Sequence, residues 1–409
     1  MPASSFRLLF RCLSLVAVFA CLGAHTLLAQ DSLLSKSDIV SLDFKILAGK
    51  KNSLSSKDPS LMPAYDQLLM DADKLLSYQP VSVMDKTGLP PSGDKHDYMS
   101  IAPYFWPDPS KPDGLPYINK DGQVNPEVRQ YQDKQNMPKL CENVYMLSLA
   151  YYFTHDEKYA RHATLLLHTW FLDPATKMNP NLNYAQAVKG VTPGRSFGLI
   201  DSRFLIWAID AIDLLQPSAS WTAKDQAEIK KWFADFLGWL QTNKNGIEEM
   251  NARNNHGVWY DAQCLAMALF LDSTALADKI VMRAAQRLDK QMDSTGLFPQ
   301  ELTRTTSLHY SVFILNAFYV VAQLSERTHT DLWTFQTTSG KSLQKATTAI
   351  LPYLTKQKDW TGPQIHPFNF PDAVPLLLRA QTHYGCSSCP AAIQAITGPQ
   401  SDHLLFNLL

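Results

Sequence analysis

Two short segments concentrate residue types that can take or give protons. The first is Asn254 to Tyr260, which reads Asn254, Asn255, His256, Gly257, Val258, Trp259, Tyr260. It runs straight into an apolar stretch of helical spacing, which puts His256 at or near a helix N-terminus. The positive end of a helix dipole favours the neutral imidazole, the form that accepts a proton. Asn254 and Asn255 offer amide donors to a carboxylate. The same pair would equally serve as caps beside a histidine satisfied by packing. The second segment, Pro299 to Tyr310, carries Glu301, Arg304, His309 and Tyr310 and also leads into a helix. Glu301 and Arg304, three apart, can pair on a turn. An arginine beside Tyr310 would lower the phenol's pKa, as a tyrosine base requires. A surface ion pair and a buried tyrosine is the alternative use of these residues.

Weaker candidates surround these. Arg195 lies in the loop Gly194–Gly198, with Asp201 and Arg203 close behind. That loop suits a carboxylate ligand or an internal Arg–Asp pair. Met178 to Gln186 is rich in amides, fit for sugar hydroxyls or for turns. Residues 86–130 contain Pro90, Pro91, Pro103, Pro107, Pro109, Pro112, Pro116 and Pro126, which break any helix. Tyr98, Tyr104, Phe105, Trp106 and Tyr117 sit among them. A long aromatic loop inserted in a helical chain is a binding platform or a packed arm. His162 and His168 fall in a helical pattern as packed or exposed side chains.

Other chemistries lack their motifs. There is no phosphate-binding glycine motif, no dinucleotide fingerprint, no His-Glu-x-x-His and no Gly-x-Ser-x-Gly elbow. No cofactor or metal is expected. A net charge of −1 gives no reason to expect a nucleic-acid partner, though local positive charge can still serve an anionic substrate.

The elements that must position these residues are helices. From about Leu140 onward, apolar residues recur at helical spacing: Ile229, Trp232, Phe233, Phe236, Leu237 and Leu240 in one stretch, Leu276, Ile280, Val281, Ala284, Ala285, Leu288 and Met292 in another. Alternating strands are scarce. Many helices of this kind predict an all-α chain of stacked antiparallel pairs, as an α/α toroid or an open solenoid. No short period recurs, which favours a single domain over residues 30–409. Before it, Arg7 and Arg11, an apolar run from Leu13 to Ala20 and small residues up to Ala29 read as a secretory signal over residues 1–29. A lipoprotein signal with Cys21 acylated is the second reading. Either exports the chain, to the periplasm or the cell surface. Cys141 and Cys264 read as buried thiols, and Cys386 with Cys389 as a local disulfide.

Taken together, the two proton-moving segments resemble the alginate lyase domain family of α/α-toroid polysaccharide lyases. The resemblance continues in Met178 to Gln186, Asp225, Gln226 and Trp232, and Asp331 to Trp333, and it covers about Tyr98 to Leu354. It implies an incomplete α/α barrel with catalytic groups on its concave face. Asn255 would neutralise the substrate carboxylate, and His256 would act as a base or orient one. Arg304 would stabilise Tyr310 and the carboxylate, and Tyr310 would be base or acid. Tyr98, Trp106, Gln186, Arg195, Asn254, Tyr260, Glu301 and His309 are the expected contacts to an anionic polysaccharide. The spacing from Arg304 to Tyr310 is one residue shorter than in the better-known bacterial alginate lyases, which leaves the polymer open between alginate and a glucuronan-like chain. Two rival readings remain. An α/α-toroid glycoside hydrolase would need paired carboxylic acids, for which Glu301 and Asp261 are available. A non-catalytic glycan-binding lipoprotein would use the aromatics from Tyr98 to Tyr117.

Overall fold

The computed structural model describes residues 42–398 and 405–409; the expected leader at 1–29 and Cys21 lie outside them. Along the described residues run helices α1 (Phe44–Ser55), α2 (Met62–Leu75), α3 (Asp133–Thr154), α4 (Glu157–Leu167), α5 (Leu205–Leu215), α6 (Ala223–Thr242), α7 (Lys244–Met250), α8 (Asn255–Phe270), α9 (Thr274–Gln291), α10 (Pro299–Leu302), α11 (Ser307–Ser325), α12 (Leu343–Leu354), α13 (Val374–Tyr384) and α14 (Cys389–Thr397). Four short strands accompany them: β1 (Met99–Ile101), β2 (Phe105–Trp106), β3 (Ile118–Asn119) and β4 (Tyr184–Ala187).

Composition sorts the helices into two layers. Beyond Met137, α3 is buried almost throughout, and so is α11. In α5 every residue but Trp207 is buried, and in α8 every residue but His256. Helices apolar on all sides must sit between others. By contrast α4, α6, α9 and α12 bury one stripe each, such as Ile229, Trp232, Phe233, Phe236, Leu237 and Leu240 of α6. The inner helices pack in succession, α3 on α5, α5 on α8, α8 on α11 and α11 on α13. The outer ones cover them, α4 on α3, α6 and α9 on α8, and α12 on α11. This is the incomplete α/α toroid. Tight turns reverse the chain between layers; His155, in the left-handed region at φ 57°, closes α3 just before Asp156 caps α4.

The proline-rich segment 86–130 is an arm laid on this body. Strand β1 pairs in parallel with β4, and β2 pairs with β3 inside the arm. Buried Asp201 anchors it, accepting from Tyr98 Oη at 3.2 Å, Ser100 Oγ at 2.8 Å, Lys134 Nζ at 2.9 Å and Gln186 Nε2 at 3.2 Å. Tyr98 was expected to touch substrate; it is instead fully buried, because its hydroxyl is needed at Asp201. Cys386 and Cys389 form a disulfide, and Cys141 and Cys264 are buried thiols.

Candidate active site

The start of α8 divides its two asparagines between two tasks. Asn254 is the N-cap, its side chain accepting from the His256 amide at 3.2 Å. Asn255 is wholly buried and grips Glu301 twice. Its backbone N–H donates to Oε1 at 2.7 Å and its Nδ2 to Oε2 at 2.9 Å. A carboxylate only accepts, so Nδ2 must face Glu301, and the Asn255 Oδ1 is left buried without a partner. Burial raises the Glu301 carboxyl, and the bonds from Asn255 and the charge of Arg304 oppose that rise. Glu301 therefore positions Asn255 and offers no exposed oxygen to a sugar.

His256 is held by a residue that the sequence does not single out. Its Nδ1 lies 2.6 Å from Oε1 of Glu249, a buried side chain of α7. With the carboxylate accepting, Nδ1 carries the proton and Nε2 keeps its lone pair, the arrangement of an oriented base. The ring of Phe197 meets the imidazole edge-on at 4.6 Å. Gly257, next in line, has no room for a side chain: a Cβ would lie 2.3 Å from the Ala252 carbonyl oxygen and 2.5 Å from Arg287 Nη1. Arg287 donates to Ala252 and Met250 carbonyls and pairs with Asp261, so the loop before His256 is braced from beneath.

The start of α11 is held from the arm. Tyr310 is buried, and its hydroxyl lies 3.0 Å from that of Tyr104. The Arg304 guanidinium sits 3.6 Å from the centre of the Tyr310 ring. Its Nε lies 3.2 and 3.1 Å from the two oxygens of Asp121, and its Nη2 donates to Asp121 as well. Asp121 also accepts from Thr305 N at 3.1 Å and Oγ1 at 3.0 Å. The expected Glu301–Arg304 pair does not form, because Glu301 faces inward to Asn255 and Arg304 outward to the arm. Gly122, at φ +76°, lets the arm approach; a Cβ there would lie 2.5 Å from Thr305 Oγ1.

The expected lowering of the Tyr310 phenol is also reversed. Burial lifts its pKa far above the usual range, and neighbouring Tyr104 adds to this; Arg304 pulls down and loses. The guanidinium faces the ring and shares its charge with Asp121. Tyr310 is therefore protonated in this state.

Of the remaining expected contacts, Arg195 is the best placed. Its guanidinium lies between Phe105 of the arm and Phe197, 4.9 Å from each ring centre, and its Nη2 donates to Gln186 Oε1 at 2.9 Å. Its Nε is buried without a partner. Gln186 is held in the left-handed region, φ 49°, by Ser100 on its N–H and Asp201 on its amide. Strain of this kind in a non-glycine persists where surroundings enforce it; here it aims Gln186 at Arg195. Trp106 is partly exposed, with its Nε1 on the Gln123 carbonyl at 2.9 Å. His309 is exposed and stacked on Phe313 at 6.0 Å. Tyr260, expected at the substrate, is buried with its hydroxyl on the Leu240 carbonyl at 3.0 Å, so it is a core residue.

The two walls meet through aromatics. Trp259 and Phe313, each three residues after His256 and Tyr310, lie 5.2 Å apart. Residues three apart share a helix face, so His256 and Tyr310 head adjacent inner helices over one aromatic floor. Among the described residues no group of His, Cys, Asp or Glu is arranged to hold a metal ion.

The comparisons place the chain in a family. The family model described as alginate lyase matches residues 82–360. The crystal structure of an alginate lyase from Bacteroides ovatus is 38% identical, covers 90% of this chain and 98% of its own, and superposes with a TM-score of 0.85. A histidine-to-alanine variant of alginate lyase A1-III, complexed with a tetrasaccharide, is 14% identical over 81% of this chain and 90% of its own, with a TM-score of 0.51, and shares the fold. None of the curated proteins compared matches the sequence.

Proposed function

The chain belongs to the alginate lyase family and is a polysaccharide lyase, and from that premise we propose that it cleaves a 4-linked polyuronate, alginate or a glucuronan-like chain, by β-elimination. The observation that carries this reading is the pairing of an oriented base with a buried, protonated acid. Glu249 leaves His256 Nε2 free to accept, and burial keeps the Tyr310 phenol protonated. The tetrasaccharide held by alginate lyase A1-III supports a glycan ligand for this fold.

In the elimination the C5–H bond breaks and its proton passes to the base. The C4=C5 double bond forms, the C4–O4 bond breaks, and a proton goes to the leaving O4. The C5 proton becomes acidic only when the adjacent carboxylate charge is offset, as donors offset a developing oxyanion. We assign that task to the Arg195 guanidinium, which pairs with no carboxylate among the described residues; Asn255 is wholly buried on Glu301 and reaches a substrate only if the start of α8 shifts, and Arg304 is engaged with Asp121 and acts mainly on Tyr310. In α-L-guluronate C5–H and O4 lie on opposite faces, so His256 takes the proton and Tyr310 gives one. In β-D-mannuronate or β-D-glucuronate they share a face, and Tyr310 serves both roles after releasing its proton. This protonated state suits the first case directly.

The hydrolase reading requires two carboxyl groups facing a sugar. Glu301 and Asp261 are both fully buried, one gripped by Asn255 and the other by Arg283 and Arg287. Export remains our reading of residues 1–29, and residues 30–409 our single catalytic domain. The direct test is product chemistry. Incubation with polymannuronate, polyguluronate and glucuronan is expected to raise near-ultraviolet absorbance on at least one of them. New reducing ends without absorbance would mean hydrolysis, and neither signal would mean binding alone.

A further inference from the structure

Two inner helices are buried along their length except at one residue each, His256 in α8 and Trp207 in α5. The chemistry above accounts for His256 and leaves Trp207 without a role. Trp207 is 40% exposed on a helix that otherwise meets only protein. Its ring lies 5.5 Å from Phe204 and 6.3 Å from Tyr145. Phe204 in turn carries the Arg203 guanidinium 4.0 Å from its ring centre, and that group lies 5.5 Å from Phe313 and 5.9 Å from Trp259. Trp259 and Phe313 are the floor under His256 and Tyr310. An aromatic track therefore leads from the catalytic pair to Trp207, with a cation midway.

Arg203, like Arg195, differs from the other arginines around the site in charge pairing. Arg283 and Arg287 share Asp261, and Arg304 has Asp121. Arg203 donates only to the Ile200 carbonyl, at 3.1 Å, and among the described residues no carboxylate pairs with it. Asp201 acts on it at a distance, but both Asp201 oxygens are occupied by Lys134, Ser100, Tyr98 and Gln186. Burial holds the guanidinium down to about 10, the cost of a desolvated cation that lacks its anion. A planar guanidinium stacked among rings presents its fork edge to a carboxylate.

We propose that Arg203 and Trp207 form a subsite leading away from the catalytic pair, where Arg203 binds the carboxylate of a uronate beside the one being cleaved and Trp207 stacks on a sugar face farther along the chain. This rests on the polyuronate reading above. The 3-10 segment Ser196–Phe204 separates Arg195 from Arg203. Beyond it the Trp207 ring meets Phe204 and Tyr145 and neither Trp259 nor Phe313, so a chain lying at the catalytic pair reaches Trp207 only by extending past Arg203. The subsite is therefore filled only by longer chains.

The test is steady-state kinetics on size-fractionated oligouronates from alginate. In the parent, KM falls as chain length grows. In Arg203→Gln, KM for the longest oligomers rises at least about tenfold, as loss of a charge-assisted contact implies, and the loss is smaller on the shortest cleavable oligomer. Trp207→Ala, at an exposed position, gives a smaller rise in the same direction and guards against misfolding of the first variant. Equal losses on short and long substrates, or parent-like kinetics in both variants, would overturn the subsite. A parent inactive on every polyuronate overturns the functional reading first, and this subsite with it.

Discussion

The starts of α8 and α11 carry the two residues proposed to move protons, His256 and Tyr310, but they are held in opposite ways. At α8 the partners are buried acids of the toroid itself: Glu249, seven residues before His256, and Glu301, 46 residues beyond Asn255. At α11 the partners come from the arm. Asp121, 183 residues before Arg304, and Tyr104, 206 residues before Tyr310, close that side. The first wall is complete without the arm, whereas the second exists only while the arm is docked. In the proposed chemistry, then, the base is held by the toroid, and the surroundings of the acid depend on a peripheral element.

Substitutions of the partners sharpen this contrast. Glu249→Gln removes the carboxylate that fixes the imidazole proton. Loss of such an orienting partner costs ~10- to 100-fold, here expected in kcat, with little change in KM or in melting temperature. Glu301→Gln should act mostly on stability. A glutamine presents one donor to two Asn255 donors, leaving a buried N–H unsatisfied at about 1–3 kcal/mol. A lower melting temperature with a roughly tenfold activity loss is the expected outcome, read by calorimetry beside initial rates. Unchanged melting would show that the pair is not strained by the swap.

Asp121→Asn is expected to have the smallest effect. The pair with Arg304 is partly exposed, so its loss costs about 1 kcal/mol or less of stability. KM should rise and kcat fall by similarly modest factors, because the arm carries both Tyr104 and the partner of Arg304 while His256 is untouched. The pH dependence follows from the same residue. Burial pushes the Asp121 carboxyl up, but hydrogen bonds from Arg304 and Thr305 and the guanidinium charge outweigh it and hold the carboxyl below its ordinary value. A lowered carboxyl contributes stability above its unfolded pKa of about 3.9 and loses it as pH falls through the folded value. Hydrogen-exchange protection of residues 98–125 should therefore persist down to about pH 4 in the parent and fade below that. In Asp121→Asn this acid edge should disappear.

These differences also explain what was legible beforehand. Residues 254–260 and 301–310 announced themselves because the reactive groups sit at helix starts, where local sequence fixes position. Helix layers were legible too, since α5 and α8 are apolar on every side. Partners were not. Glu249 stands beside exposed Glu248, and only the turn from α7 into α8 decides which acid reaches His256. Asp121 and Tyr104 act across the fold, which no spacing records. Tyr98 and Tyr260 misled for a related reason: a tyrosine whose hydroxyl meets a buried acceptor has the same sequence signature as one that stacks on a sugar.

The central claim is that His256 and Tyr310 carry out elimination as base and acid. Tyr310→Phe tests it most directly, because the ring and its packing against Arg304 remain while the transferable proton is lost. The account predicts an unchanged circular dichroism spectrum and melting curve, and a fall of about 10³-fold or more in the rate of unsaturated-uronate formation on the best polyuronate. A folded Tyr310→Phe enzyme that forms unsaturated product near the parent rate would contradict it.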